Sequence, residues 1–368
     1  MVDALATTAG GAGLVWLCDL SSEFAERPMD TPLIVVRREA RPFVRERAPH
    51  AEVMVLPRAL APTPLRLAWE HSILPAHVRS FGAEVVLSPF NVAPTQWLPS
   101  RAKLVVMVSN LAPFSDTVVR ATRGPERWRN IALRALTLKT LARADLVLLQ
   151  SRQALTLINQ PGLEDKAVVL PPSPARVPLT GRARDALRPP KPYLFVASDL
   201  YRFKGIELVI EALAMIRHAR RPLLVICGRR IHEDYATRLE SQIIRLGLAD
   251  SVQLLGPQPR EYVLGLMREA TACIAPSRFE NMSKVPLEAM AVGTPVLASR
   301  IPSYVDGCED AACYFELNRP RELSLLIERV LEDDRLRTSL IARGKVRMSR
   351  LGDGSGASNV LEAIESLI

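Results

Sequence analysis

The stretch from Ala275 to Ser299, APSRFENMSKVPLEAMAVGTPVLAS, constrains the fold of this chain more than any other. Two glutamates, Glu280 and Glu288, lie eight positions apart with a polar turn between them. Proline is favoured at the first helical position, so the sequence predicts a helix that begins at Pro286 and that Gly293 caps in the left-handed conformation. The following TPVLAS is typical of a buried strand. The stretch therefore predicts strand, loop, helix and strand.

This predicted unit suits an anion flanked by hydroxyl groups. The loop supplies backbone N–H groups, and the helix start adds a partial positive charge. Glu288, in the first turn of the predicted helix, can accept hydrogen bonds from vicinal hydroxyls, and Glu280 lies near a strand end, where ligands of open α/β sheets collect. Ribose, diphosphate and hexose in a nucleotide sugar have this composition. Paired glutamates are also common on ordinary surfaces, so the spacing alone leaves both interpretations open.

The neighbouring residues favour the nucleotide sugar. From Leu254 onward the chain reads LLG, PREYVLGLMREA, CIAPS, FE, PLEAMAVGTPV and AS. These roughly 45 residues resemble the family 4 retaining glycosyltransferases of the GT-B fold. Many members of that family carry Gly-Phe-Gly-Leu-Pro after the first glutamate. Here the loop departs from that pattern but keeps its backbone donors, and the resemblance implies that it binds the donor through Asn281, Met282, Ser283, Lys284 and Val285.

The resemblance also implies the architecture. A GT-B protein has two Rossmann-like parallel α/β domains that face each other across a cleft, and the alternation of apolar strands with helical segments along this chain agrees with parallel β/α units. We expect an acceptor-binding domain over residues 1–180, a donor-binding domain over 181–350 and a final helix over 351–368 that crosses back to the first domain. Seven prolines within residues 171–192 mark the linker.

Four residues are implied to act on the reacting sugar and the leaving group. Glu280 would contact the hexose hydroxyls, and Lys204 would neutralise the departing diphosphate. The family's arginine often stands five residues before that lysine, where this chain has Asp199, so we assign the role to Arg202 instead. Ser109 aligns with a position that is a histidine beside the donor sugar in many members. Glu288 is assigned to the ribose.

Three glycines complete the implied donor site. Gly10 and Gly11 lie in a glycine-rich turn that follows a short strand-like segment, where the backbone can approach a phosphate or a sugar. A simple turn explains the same two residues equally well. Gly228 follows the apolar strand PLLVIC and is assigned to donor binding.

Composition excludes several other classes of protein. Hydrophobic residues make up 48% and charged residues 24%, as in soluble globular proteins, and no apolar run is long enough to span a membrane. The five cysteines form no C-x-x-C pair, so we expect reduced, buried thiols. The start lacks a basic region, so we expect no signal peptide and a cytoplasmic protein. Aromatic residues make up only 5%, and no nucleic-acid motif is present.

The net charge of +9 is concentrated in the first half of the chain. Residues 1–180 carry 21 basic and 15 acidic side chains, whereas the remainder carries 27 and 24. A basic N-terminal half could contact the inner face of an anionic membrane or a lipid-linked acceptor, or it could simply solubilise the protein.

The implied reaction transfers a hexose from a nucleotide sugar with retention of configuration. No Asp-x-Asp motif is present, so we expect no catalytic metal and no cofactor besides the donor substrate. Two alternatives stay open at this point. One is another enzyme on the same fold, such as an epimerase, and the other is a nucleotide-sugar-binding subunit without turnover.

Overall fold

The chain forms two compact units, one made of Met1–Pro171 and Ser355–Ile368, the other of Pro172–Gly354. This computed structural model describes residues 1–5, 14, 17–18, 20–21, 32–57, 59, 63–170, 189–190, 192–282, 284–351 and 357–368. The predicted glycine-rich turn with Gly10 and Gly11, most of the proline-rich linker, and Ser283 lie outside the described residues.

Unit 1 is built on a parallel sheet whose seven described strands run in the order β3-β2-β1-β4-β5-β6-β7. The strands are β1 (Val2–Asp3), β2 (Leu33–Arg37), β3 (Glu52–Leu56), β4 (Val85–Ser88), β5 (Lys103–Val108), β6 (Leu146–Leu149) and β7 (Ala167–Val169). Its α-helices in the described residues are Arg41–Arg47, Thr63–Ser72, Leu74–Phe81, Asp116–Ala121, Gly124–Arg143, Gln153–Ile158 and Ala357–Glu365.

The helix Ala357–Glu365 completes the core of unit 1. Its buried residues Val360, Leu361 and Ile364 pack in one cluster with strand residues such as Ile34 and Val105. The two ends of the chain are therefore joined in one hydrophobic core.

Unit 2 repeats the arrangement with six described strands in the order β10-β9-β8-β11-β12-β13, all parallel. They are β8 (Tyr193–Ala197), β9 (Leu223–Cys227), β10 (Val252–Gly256), β11 (Ala272–Ala275), β12 (Val296–Ser299) and β13 (Ala312–Phe315). The described α-helices are Ile206–Ala214, Glu233–Arg245, Arg260–Glu269, Lys284–Ala291, Pro302–Cys308, Pro320–Glu332 and Asp334–Leu351.

Both faces of the unit 2 sheet are covered, which explains why its central strands β8 (YLFVA) and β11 (ACIA) are continuous apolar runs. Successive strand side chains point to opposite faces, and β8 shows the result. Leu194 and Val196 belong to one core cluster with the helices Ile206–Ala214 and Glu233–Arg245. Tyr193 and Phe195 belong to a second cluster on the other face, with helices that include Lys284–Ala291. Two parallel α/β units confirm the predicted fold class.

Two pairs of helices follow one another along the chain with a single residue between them. Ile73 separates Thr63–Ser72 from Leu74–Phe81, and Asp333 separates Pro320–Glu332 from Asp334–Leu351. The helix Pro302–Cys308 has proline at its first position, where that residue is favoured. The helix expected to begin at Pro286 begins at Lys284, so Glu288 lies in its second turn.

Candidate functional site

The carboxyl ends of β8 and β11, neighbouring parallel strands at the centre of the unit 2 sheet, bring two predicted site residues together. Lys204 ends a short 3-10 turn after β8, and Glu280 lies five residues after β11. The Nζ atom of Lys204 is 2.5 Å from Oε1 of Glu280. Their side chains are 18% and 19% exposed, so the pair is partly desolvated but open to a ligand.

Glu280 is held by two further donors. The hydroxyl of Ser277 donates to Oε1 of Glu280 at 2.7 Å, and the phenol of Tyr304 lies 3.4 Å from the same oxygen. Burial first, and then the charge of Glu280, raise the pKa of Tyr304, so its phenol stays protonated as a donor. Within the described part of the chain, all these donors reach Oε1, which leaves Oε2 of Glu280 for hydroxyl groups of a ligand.

The loop that carries Ser277 is itself fixed from β12. The hydroxyl of Ser299, the last residue of β12, donates to the carbonyl of Ser277 at 2.5 Å. Ser299 is fully buried and Ser277 nearly so. A buried, hydrogen-bonded support of this kind limits the rotamers available to Glu280.

Two glycines allow the loops at this sheet edge to touch. A Cβ on Gly205, whose φ is +65°, would lie 2.3 Å from the carbonyl oxygen of Pro276. A Cβ on Gly228 would lie 2.0 Å from the carbonyl oxygen of Ser198. Both contacts are with backbone and far below van der Waals distance, so only glycine permits this packing. Gly228 therefore has a structural role beside its predicted place in the donor site.

Arg202, the second predicted cation, forms an ion pair with Asp234 in the first turn of the helix Glu233–Arg245. Its side chain is 29% exposed. Asp199, which stands where the family often has arginine, instead pairs with Arg229 at 2.6 Å. Burial would raise the pKa of Asp199, but the hydrogen bonds from Arg229 outweigh it and lower that pKa. The structure thus joins Lys204 to Glu280 and joins Arg202 to a different carboxylate.

Glu288, which the resemblance assigns to the ribose, is buried and forms an ion pair. It is buried in the second turn of the helix, and its Oε1 is 2.9 Å from a guanidinium nitrogen of Arg260. Arg260 is half exposed and begins the helix Arg260–Glu269. Glu288 is therefore a buried carboxylate whose partner reaches it from the surface.

The residues before Glu288 form the rest of the predicted donor loop. Asn281, Met282 and Val285 are half-buried, and Lys284 is the first residue of the helix. Burial lowers the pKa of Lys284, and the charge of Glu288 partly opposes that effect. Gly293, with φ +82°, follows the helix in the predicted left-handed conformation.

Ser109 belongs to unit 1, directly after β5. The loop there is fixed by Asn91, whose amide donates to the Asn110 carbonyl at 2.6 Å and whose side-chain oxygen accepts from the Asn110 N–H at 2.9 Å. The predicted role of Ser109 stays a prediction.

The cysteines are free thiols, and no group of three or more His, Cys, Asp or Glu that could hold a metal occurs among the described residues. Burial raises the pKa of Cys273 to about 12 and that of Cys227 to about 11, so both stay protonated. They pack as small apolar side chains.

Sequence reasoning missed Ser277, Tyr304, Ser299 and Arg260. Ser277 stands within the quoted CIAPS motif, so its spacing of three residues from Glu280 was a usable signal. Tyr304 and Arg260 are more than 20 residues from the glutamates they approach. Only the packing of neighbouring β/α units reveals them.

The two parallel α/β units, with their polar pairs at the strand ends of unit 2, define a GT-B protein. Residues 181–347 match the family model described as glycosyl transferases group 1. The matched residues include Lys204, Glu280 and Glu288, and the match confirms the resemblance seen in the sequence.

Curated relatives agree over the same region. The chain is 32% identical over 149 residues to a D-inositol 3-phosphate glycosyltransferase of Corynebacterium jeikeium, covering 38% of this chain and 35% of that protein. It is 26% identical over 212 residues to the protein of the same name from Jonesia denitrificans, covering 56% and 50%. The chain thus matches half or less of the length of these curated relatives.

Solved structures match over the whole chain at low sequence identity, so this likeness shows the fold alone. A sucrose-phosphate synthase from Thermosynechococcus elongatus has a TM-score of 0.75 and 19% identity, covering 100% of this chain and 98% of that one. Anabaena HepE in complex with UDP-glucose has a TM-score of 0.73 and 18% identity, covering 99% and 98%.

Proposed function

We propose that this protein is a retaining glycosyltransferase that moves a hexose, such as mannose or glucose, from a nucleoside-diphosphate sugar to a glycan or lipid-linked acceptor. The observation that carries the proposal is the 2.5 Å pair of Lys204 and Glu280 at the strand ends of a group 1 domain. A cation for a leaving diphosphate and a carboxylate for sugar hydroxyls lie side by side there. The complex of HepE with UDP-glucose supports the donor class.

In the proposed reaction, the bond between C1 of the hexose and the diphosphate oxygen breaks, and its electron pair stays on the diphosphate. The acceptor oxygen bonds to C1 on the same face, and its proton passes to the departing diphosphate. Lys204 stabilises the developing negative charge, which is the usual source of electrostatic rate enhancement. Oε2 of Glu280 orients the hexose through its hydroxyls, and Glu288 holds the ribose. Arg202 and the backbone of the 281–285 loop add to the diphosphate site.

The proposed setting is the synthesis of cell-surface polysaccharide at the cytoplasmic face of a bacterial membrane. The excess of basic residues in the first half of the chain supports an anionic lipid surface or lipid-linked acceptor as a partner. Metal-independent transfer is part of the same proposal.

A thermal-shift series with UDP, GDP and their hexose derivatives tests the donor assignment. A ligand that binds only the native state adds about 2.7 kcal/mol of stability at 100 times its Kd. Product analysis by mass spectrometry with the stabilising nucleotide sugar then tests transfer or hydrolysis. An unchanged Tm with every nucleotide at millimolar concentration would contradict the donor site.

A nucleotide-sugar-binding subunit without turnover is the second candidate. Ser109 favours it, because an imidazole stands at that position in many members of the resembling family. Stabilisation by a nucleotide sugar without any product over long incubation would select this candidate. An epimerase on the same fold would instead convert the sugar of the donor, which the same product analysis detects.

A further inference from the structure

The helix Gly124–Arg143 of unit 1 presents an unusual outer face. Trp128 is 72% exposed and Ile131 is 47% exposed, and both lie with the exposed Ala132 and Ala135 at spacings of three, four and seven residues. At 3.6 residues per turn this spacing places them on one side of the helix. The opposite side is buried through Asn130, Thr137, Thr140 and Leu141. We call the exposed side, Trp128, Ile131, Ala132 and Ala135, the outer stripe.

Basic residues flank the outer stripe on both sides. By helical position, Arg127 and Arg134 lie along one edge, and Arg129 and Arg143 lie along the other. Residues 123–143 contain six basic side chains and one acid, Glu126. The acid lies 3.7 Å from Arg129. Together with Arg123 just before it, the helix therefore has net charge +5 around an apolar centre.

This pattern is the reverse of an ordinary surface helix, whose apolar side faces the core and whose outer side is polar. An exposed apolar surface rimmed by charge marks an interaction site. Tryptophan prefers the boundary between water and lipid, and long arginine side chains can lie along an apolar surface while their charges reach phosphate groups. Amphipathic helices with these features lie in the plane of a membrane interface.

We propose that the outer stripe and its flanking arginines dock unit 1 onto the surface of an anionic lipid membrane. Charge complementarity selects this partner, because an anionic bilayer offers phosphate groups to both basic edges at once. The apolar stripe then enters the boundary between water and lipid. The contact is peripheral, because the other side of the same helix is buried in unit 1. Among the described residues no helix is long and apolar enough to cross a membrane. The surface specifies the anionic lipid partner of the proposed function, and it does not depend on the transfer reaction proposed for unit 2.

Vesicle flotation with the full chain tests this surface. The protein should float with vesicles of phosphatidylcholine mixed with phosphatidylglycerol and stay behind with phosphatidylcholine alone. Trp128→Ala should lower the partition coefficient about tenfold through lost apolar burial. Arg127→Glu should lower it about fivefold or more, because each surface cation contributes about 1 kcal/mol, and added salt should have the same effect.

Matched variants keep the result specific. Trp97 is 65% exposed in the same unit, and Arg335 is exposed in unit 2, so Trp97→Ala and Arg335→Glu should leave flotation unchanged. Because all four side chains are exposed, the Tm of each variant should stay near that of wild type. The assay needs no donor sugar, so it can succeed or fail independently of the proposed transfer.

Three results would overturn the proposal. They are equal flotation with neutral and anionic vesicles, wild-type flotation of both Trp128→Ala and Arg127→Glu, and equal loss in the Trp97→Ala and Arg335→Glu controls. Sedimentation velocity tests the alternative that a second copy of this chain binds the outer stripe. Self-association that Trp128→Ala abolishes, without flotation of the wild type, would make the stripe an interface between copies and not a membrane surface.

Discussion

Lys204 and Glu280 form a partly buried ion pair, 76 residues apart in sequence and 2.5 Å apart between Nζ and Oε1. In the proposed reaction the two residues have different roles. The lysine responds to charge that develops on the diphosphate, whereas the carboxylate responds to hydroxyls present from the start. Because only the first interaction strengthens in the transition state, the two residues should differ in their effects on kcat.

Lys204→Ala should lower kcat by about 10²–10³, as expected for a preorganised charge-stabilising group, with a smaller loss of donor affinity. Steady-state kinetics on the folded variant measure both, and the exposed Lys345→Ala is the matched control. Combining Lys204→Ala with Glu280→Ala completes a double-mutant cycle. Wild-type kcat in Lys204→Ala would end the leaving-group role, and activity that EDTA abolishes would end the metal-free mechanism.

Tyr304→Phe tests whether orientation of Glu280 matters. The variant removes one long hydrogen bond to the carboxylate, so kcat should fall about fivefold, in line with a loss of about 1 kcal/mol, while nucleotide affinity stays unchanged. Tyr193→Phe is the matched control, because that buried phenol donates to the Leu266 carbonyl at 2.7 Å and not to Glu280. Equal changes of kcat in the two variants would show that Tyr304 only packs and does not orient Glu280.

Glu288→Gln should weaken binding of the free nucleoside diphosphate, since a hydrogen bond to a charged group contributes about 1.5–3 kcal/mol. Isothermal titration calorimetry measures the change. Arg260→Ala separates two explanations, because it breaks the 2.9 Å ion pair but keeps the carboxylate. If Glu288 binds ribose, Arg260→Ala should retain affinity that Glu288→Gln loses. The same Kd in wild type and Glu288→Gln would exclude the ribose role.

Two buried carboxylates, Asp3 and Glu70, make the stability of unit 1 depend on pH. Burial raises the pKa of Asp3 to about 6. Burial, together with the negative charge of Asp3, raises the pKa of Glu70 to about 8 even though Arg66 lies 3.1 Å from it. Folded unit 1 therefore binds more protons than the unfolded chain between the ordinary carboxyl pKa and these raised values. Its free energy of unfolding should fall as pH rises through that window.

Urea unfolding of wild type and Glu70→Gln at several pH values between about 5 and 8 measures this effect. The variant cannot ionise at this position, so it should lose less stability than wild type as pH rises. Parallel pH profiles for the two proteins would contradict the raised pKa of Glu70. Glu84→Gln serves as the control, because Glu84 is an exposed carboxylate of the same unit.

Runs rich in apolar residues predict three of the strands with the bounds that the structure has. They are EVMVL for β3, KLVVMV for β5 and YLFVA for β8, each between polar or turn residues. Strands β7 (AVV) and β13 (ACYF) were not predicted. They are apolar but only three and four residues long, and a run that short does not identify a strand by its period.

The sequence also located the two glutamates and Lys204, but not the contacts that hold them. Motif spacing identifies residues on one loop, such as Glu280 and Glu288. Tyr304 reaches Glu280 only because β12 pairs beside β11, with Ala298 opposite Ala275. That register depends on the whole sheet, and no local pattern carries it.

The helix Ala357–Glu365 has a consequence for how the protein is made. Because it belongs to the core of unit 1, residues from both sides of unit 2 in the sequence must meet before that core is complete. A ribosome delivers these helix residues after all of unit 2. Unit 2 can therefore finish folding on the ribosome first, whereas unit 1 must wait with part of its apolar surface uncovered.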